Sequence, residues 1–302
     1  MPLLASIFLD DVLPIFIVAA VGFALARGLT ADVRTLSRVT FNALSPCLVF
    51  HLLVTSNIGL SDFTRMAVLA TVAVLGIGLV ARVAVMPWRL ERPVLMAFLL
   101  VVMFTNSGNY GLPVVLFAFG REALAHASVY FVVNAALTYT VGVFLASSGR
   151  QSFPRALRGI LRVPTVYGVL AAAVVVATGA TVPPALMRPI ELLSGAALPA
   201  MLLVLGMQLE RGAWPERPSL AVLAVGLSLI VTPLIALAAA ALLGLTGAAR
   251  QAAILQSAMP SAVLTTIIAL EFDVAPTFVT ACVMLSTLLS PITITVIIAA
   301  LR

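Results

Sequence analysis

Residues 104–113 read Phe104-Thr105-Asn106-Ser107-Gly108-Asn109-Tyr110-Gly111-Leu112-Pro113. Unbroken apolar sequence leads into this stretch from Val94 and continues beyond it to Phe119. Two glycines, two asparagines and a proline would break a helical hydrogen-bond ladder there. In an apolar surrounding each freed N–H or C=O group costs several kcal/mol if it finds no partner. The broken segment must therefore face protein or a watery cavity.

The rest of the chain supplies that apolar surrounding. Of 302 residues, 62% are hydrophobic and 9% are charged. Soluble domains sit near ~45–50% apolar and ~25% charged. So few charges cannot cover a water-facing surface, which excludes an ordinary soluble enzyme, a nucleic-acid-binding domain and a disordered tail. A spanning β-barrel would alternate polar and apolar residues in segments of ~10 residues. The long apolar runs here indicate helices of ~20 residues each.

Ten spans are expected, near 7–27, 36–56, 64–86, 93–119, 124–147, 160–179, 187–209, 218–243, 248–271 and 276–300. The first arginine is Arg27, so the opening segment has no basic leader and reads as a retained span. All 17 basic residues are arginine, and the net charge is +6. With ten spans, twelve arginines fall on one side, among them Arg150, Arg155, Arg158 and Arg162 of the connector, and five on the other. The arginine-rich side is expected to be cytoplasmic, with both termini extracytoplasmic. Cys47 and Cys282 lie inside apolar runs without ligand-like spacing, so no metal or cofactor is expected.

The connector divides the chain into a first repeat (1–149), a connector (150–163) and a second repeat (164–302). Pro14 and Gly28 of span 1 match Pro164 and Gly179 of span 6, and residues 43–49 of span 2, with Pro46, match residues 196–202 of span 7, with Pro199. Five spans is an odd number, so the second half would enter the membrane the other way up, the inverted-repeat plan of many secondary transporters. Chance matching of Pro and Gly is the other reading of this register.

Span 9 is the counterpart of span 4, and it carries Gln256-Ser257-Ala258-Met259-Pro260-Ser261-Ala262, followed by Thr265 and Thr266. Two broken helices at equivalent places can cross at their breaks. Each then offers a half-helix N-terminus with roughly half a positive charge and unpaired N–H donors. That makes an anion site without a buried cation, with Asn106, Asn109, Ser257 and Ser261 as side-chain donors. Pro113 and Pro260 taken singly would read as plain kinks; the paired breaks favour a crossover.

The motif Asn106-Ser107-Gly108-Asn109-Tyr110-Gly111-Leu112-Pro113 resembles the auxin efflux carrier family in its bacterial branch, as do Ala258-Met259-Pro260-Ser261-Ala262, residues 286–293 and residues 198–206. The resemblance covers nearly the whole chain. It implies an all-α integral membrane fold of ten transmembrane helices in a five-plus-five inverted repeat, with crossed broken helices 4 and 9. It implies a scaffold (spans 1, 2, 6, 7) and a mobile transport part (spans 3–5, 8–10). It also implies substrate-binding positions at Asn106, Gly108, Asn109, Gly111 and Pro113, and at Met259, Pro260 and Ser261, with Ser257 beside them. Family members move organic anions, auxin in plants and malonate-like carboxylates as proposed for bacterial members.

The expected function is secondary active or facilitated transport of small organic anions by an elevator-like movement, in the cell membrane, with no enzyme activity. A sodium- or proton-coupled symporter of a larger organic acid, resembling the bile-acid symporters, is the alternative; Asn134, Thr265 and Thr266 are its candidate oxygen ligands. Asn42, Ser45 and Pro46 are candidates for the cavity wall, and Asn134 for support of broken span 4. The expected partners are a small organic anion and the lipid bilayer, without nucleic acid; a homodimer follows from the resemblance alone. His51 reads either as a proton-coupling site or as a wet or hydrogen-bonded group near a span end. Asp10 and Asp11 form a carboxylate pair at the start of span 1, read either as interfacial residues or as a coupling site.

Overall fold

A computed structural model describes residues 2–29, 31–56, 58–147, 158–210 and 214–302. Its main helices are α1 (Leu3–Leu29), α2 (Val33–Thr55), α3 (Leu60–Ala84), α4 (Arg92–Met103), α5 (Ser107–Ala146), α6 (Pro164–Thr178), α7 (Pro184–Leu209), α8 (Pro218–Leu242), α9 (Gly247–Ser257), α10 (Leu264–Phe272) and α11 (Pro276–Leu301). Seven of the described helices are long and apolar enough to cross a membrane: α1, α2, α3, α5, α7, α8 and α11. Arg150 and Arg155 of the connector, and Arg211, lie outside the described residues.

Helix starts follow local chemistry. Proline occupies the first turn of α4, α6, α7, α8 and α11, where its missing N–H would have had no partner. This moves the start of span 6 from the expected 160 to Pro164, behind a short 3₁₀ turn over Arg158–Arg162. Asp32 caps α2, its carboxylate accepting from the N–H groups of Arg34 and Thr35 at 3.1 Å each. Four helices contain a π segment that ends two residues before a proline. These are Phe8–Val12 before Pro14, Thr40–Leu44 before Pro46, Ser107–Gly111 before Pro113 and Leu227–Val231 before Pro233. A proline inside a helix cannot donate to the carbonyl one turn back, and the widened turn absorbs the misfit.

α5 is 40 residues long, about 60 Å if straight, twice the hydrocarbon thickness. It is not straight. Gly120 has φ 79° and ψ −168°, and Asn134 reaches back to bond Thr105 and Ser107. The chain therefore doubles back at Gly120, between the positions expected for spans 4 and 5.

Two groups of helices differ in how they pack. α1 lies on α7, α7 packs on α2, and α2 packs on α6. At Gly22 a Cβ would stand 2.1 Å from the Leu203 carbonyl oxygen, and at Gly206 one would stand 1.7 Å from that of Ala19. Only glycine lets two helix backbones approach this closely. The remaining helices surround α5 and α9. One apolar core joins both groups, from Ile7 and Leu48 to Leu255 and Ile298. A second core, at the end containing Val85, Val94, Ala146, Leu220 and Phe278, receives no residue from α1, α2, α6 or α7.

Candidate functional site: the crossing of two interrupted helices

α4 stops at Met103, and Phe104 turns extended with φ −109° and ψ 109°. α9 stops at Ser257. The two interruptions lie side by side. Asn106 N–H donates to the Pro260 carbonyl at 2.7 Å, Ala262 N–H donates to the Phe104 carbonyl at 2.8 Å, and Thr105 pairs antiparallel with Ser261. A minimal β-bridge thus satisfies backbone groups that both helices release, as an apolar interior demands.

Side chains brace the bridge. Asn134 Nδ2 donates to the Thr105 carbonyl and to Ser107 Oγ, both at 2.9 Å. Ser261 Oγ donates to the Val101 carbonyl at 2.6 Å, and Ser261 N–H donates to Ser286 Oγ at 3.1 Å. Ser257 Oγ donates to the Ile254 carbonyl and Thr265 Oγ1 to that of Ala262. The hydroxyls of Ser257 and Ser261, expected as ligand donors, are thus committed to carbonyls of the bundle. Met259 is fully buried against Gly111, and Thr266 is half-buried one turn into α10.

The first arm of α5 opens at this bridge. Its ladder begins with Gly111 N–H to the Asn106 carbonyl at 2.9 Å, so the N–H groups of residues 107–110 precede the first ladder bond. Pro113 sits in the first α-helical turn behind them. Gly108 lies under the Phe131 ring, 2.7 Å from where a Cβ would be, and Gly111 lies against Gln256 Oε1, at 2.2 Å by the same measure. Within residues 101–115 only Asn109 is not fully buried. Tyr110 turns toward α1, its ring edge-on to Phe16 at 5.8 Å, and accepts from Ser290 Oγ at 3.2 Å.

Three buried polar atoms around the bridge have no hydrogen-bond partner, Asn106 Nδ2, Asn134 Oδ1 and Gln256 Oε1, while the hydroxyls of Tyr130 and Thr105 face each other. Buried polar groups are seldom left so, and such a cluster calls for a reason. No charged residue occurs in 93–120 or in 251–270. The local field comes from peptide dipoles, and the N-termini of α5 and α10 both lie at the break. Tyr130 and Gln256 were not singled out as site residues from sequence. Tyr130 stands four residues before Asn134, on the same helical face, which is the signal that could have marked it.

The other candidates lie elsewhere. Asn42 Nδ2 donates to the Arg38 carbonyl on an exposed face, and Ser45 Oγ donates to the Thr40 carbonyl in the π segment of α2. Pro46 lends its carbonyl to the close contact with Gly168 of α6. His51 Nδ1 lies 3.4 Å from Ser194 Oγ of α7. Asp11 is buried against the protein and paired with Arg302 at 2.6 Å. Among the described residues, no group of three His, Cys, Asp or Glu is placed to hold a metal ion.

Comparison with known proteins bears on the whole chain. A family model described as membrane transport protein matches residues 7–156 and 150–298. An uncharacterized transporter of Methanothermobacter thermautotrophicus is 27% identical over 286 residues, covering 93% of this chain and 94% of that protein. An uncharacterized transporter of Methanocaldococcus jannaschii is 24% identical over 276 residues, covering 88% and 89%. With its apolar helices and a match from end to end, the chain belongs to the membrane transport protein family of multi-pass transporters, the auxin efflux carrier family that its motifs resemble.

Proposed function

We propose that the protein is a secondary active or facilitated transporter of small organic anions, carboxylates such as malonate, working by elevator-type alternating access. One observation carries this reading. The buried amide Nδ2 of Asn106 has no partner and stands at the N-terminus of α5, beside the N–H groups that precede its ladder. Donors and a positive dipole end meet there in an uncharged surrounding, which suits a carboxylate. Asn109 is the way in, as the least buried residue of the segment. Gly108, Gly111, Pro113, Met259 and Pro260 shape the wall by close backbone approach, Ser261 ties the crossing to α4, and Ser257 stands beside it at the end of α9.

In this reading the helices make ten crossings, five in each half, in an inverted repeat. α4 and the first arm of α5 form the fourth, and α9 with α10 forms the ninth. The halves are residues 1–149 and 164–302, joined by 150–163. α1, α2, α6 and α7 form the scaffold, and the other helices move. The arginine-rich end faces the cytoplasm of the cell, and both termini face outward. A homodimer rests on the family resemblance.

A second reading, sodium- or proton-coupled symport, is favoured by two of the unpartnered atoms. Asn134 Oδ1 and Gln256 Oε1 are acceptors, which a carboxylate cannot satisfy and a hard cation can. Uptake of labelled malonate into proteoliposomes, competed with other mono- and dicarboxylates, with and without sodium, tests both. Saturable uptake lost in Asn109→Ala supports the site; normal uptake by that variant removes the crossing from the substrate path. A strict sodium requirement selects the second reading.

A further inference from the structure

The two ends of the bundle are closed in different ways. At the end carrying Val85, Val94, Ala146 and Phe278, the buried core contains nothing from α1, α2, α6 or α7. At the end carrying Ile7 and Ile298, a single apolar core runs through both groups of helices. An ion pair crosses between the groups at this second end. Asp11 Oδ2 of α1 meets Arg302 Nη2, just past α11, at 2.6 Å, and the same Nη2 donates to the Ala118 carbonyl of α5 at 3.3 Å. Gln251 of α9 fixes the end of α11 by donating to the Leu301 carbonyl at 3.1 Å.

The partners are unequal. The Asp11 side chain is 7% exposed and that of Arg302 is 37% exposed. If the groups slid apart, Arg302 would return to water, while Asp11, held in the π segment Phe8–Val12, would stay among apolar atoms. A buried carboxylate stripped of its partner is strongly unfavourable, and taking a proton removes the charge. The charged groups acting on Asp11 are Arg302 and the adjacent, exposed Asp10. The α5 segment packed against it presents the uncharged Ala118 carbonyl; Arg121 and Glu122 lie exposed in the turn beyond.

We infer that Asp11 is a proton-binding coupling residue: its pairing with Arg302 holds this end closed, and a proton from the adjoining medium takes the place of Arg302 when the end opens. The inference rests on the alternating-access reading and names the ion that drives it.

Spin labels on Leu186→Cys of α7 and Glu122→Cys of α5, in a Cys47→Ser, Cys282→Ala background in lipid nanodiscs, read the separation of the two groups by double electron–electron resonance. Between pH 8 and pH 5 a second, shifted distance is expected to grow. In Asp11→Asn the ratio of the two distances loses its pH dependence, and in Asp10→Asn it keeps it. In Arg302→Gln the midpoint rises by about 1 pH unit or more, because the proton's competitor is gone. Distances that ignore pH in the parent, an Asp11→Asn variant that titrates like the parent, or an Arg302→Gln variant with an unmoved midpoint would each overturn the inference. If Asp11→Asn does not fold, Arg302→Gln carries the test. No substrate is needed, so a failure of carboxylate uptake leaves this result standing, and the reverse holds too.

Discussion

The contact between α1 and α7 and the crossing of the interrupted helices are both places where backbone approaches backbone, and they solve it in opposite ways. At the first, Gly22 and Gly206 bring two continuous helices together, and the one nearby ladder gap, at Pro199 of α7, lies a turn before Leu203 and leaves the helix unbroken. At the second, both ladders are broken and rejoined to each other through Asn106, Pro260, Phe104 and Ala262. The first arrangement leaves no room for anything else. The second leaves polar side-chain atoms buried and unsatisfied. Close packing holds; an interrupted ladder with spare donors can bind.

Substitutions at the two places separate these roles. Gly206→Ala puts a methyl group on the Ala19 carbonyl, a backbone atom that cannot swing aside, so the melting temperature should fall furthest here, by the equivalent of about 3 kcal/mol. Melting near the parent would mean that the α1–α7 contact is looser than described. Asn134→Ala strips the Thr105 carbonyl and Ser107 Oγ of their donor in a buried place. It should cost about 2 kcal/mol, read by the same melting experiment. Gly111→Ala meets the flexible tip of Gln256 instead of backbone. Its cost should be about 1 kcal/mol, with a larger loss of ligand binding than of stability. Asn109→Ala should leave melting within about 0.5 kcal/mol of the parent while uptake disappears, since the residue is half-buried and braces nothing.

The smallest effect belongs to Asp32, outside both regions. Thr35 and Arg34 hold its carboxylate below the usual range, through the Thr35 hydroxyl first and the Arg34 N–H second. The cap therefore contributes fully above the pKa of the unfolded chain and is lost as pH falls through the lower, folded value. Asp32→Ala should lower the melting temperature slightly at neutral pH and not at all in strong acid. A difference that persists unchanged into acid would contradict the capping role.

How much of this was legible beforehand depends on the kind of interaction. Composition and apolar run length marked the helices, because burial in lipid acts on every residue of a span. The breaks at 104–106 and 258–263 were legible because glycine, asparagine and proline alter the backbone where they stand. The partners were not. Ser261 bonds Val101 across 160 residues, and Gln256 reaches Ala127 across 129. No local pattern carries such pairings. Ser257 and Ser261 looked like free donors because a hydroxyl's partner is invisible in sequence. The ion pair of Asp11 was equally hidden, because its counter-ion stands 291 residues away. Five π segments among the described residues went unforeseen, although for four of them Pro14, Pro46, Pro113 and Pro233 were the visible cause; Thr138–Gly142 has no such proline.

The central claim is that peptide dipoles and uncharged amides at the crossing hold a carboxylate. The most direct measurement is the melting temperature of the purified protein against rising malonate and a panel of mono- and dicarboxylates, in the parent and in Asn106→Ala. A ligand that binds the folded state raises its apparent stability with concentration. The account predicts a saturating rise for at least one carboxylate in the parent, absent in Asn106→Ala. A carboxylate that stabilises both proteins equally would contradict it.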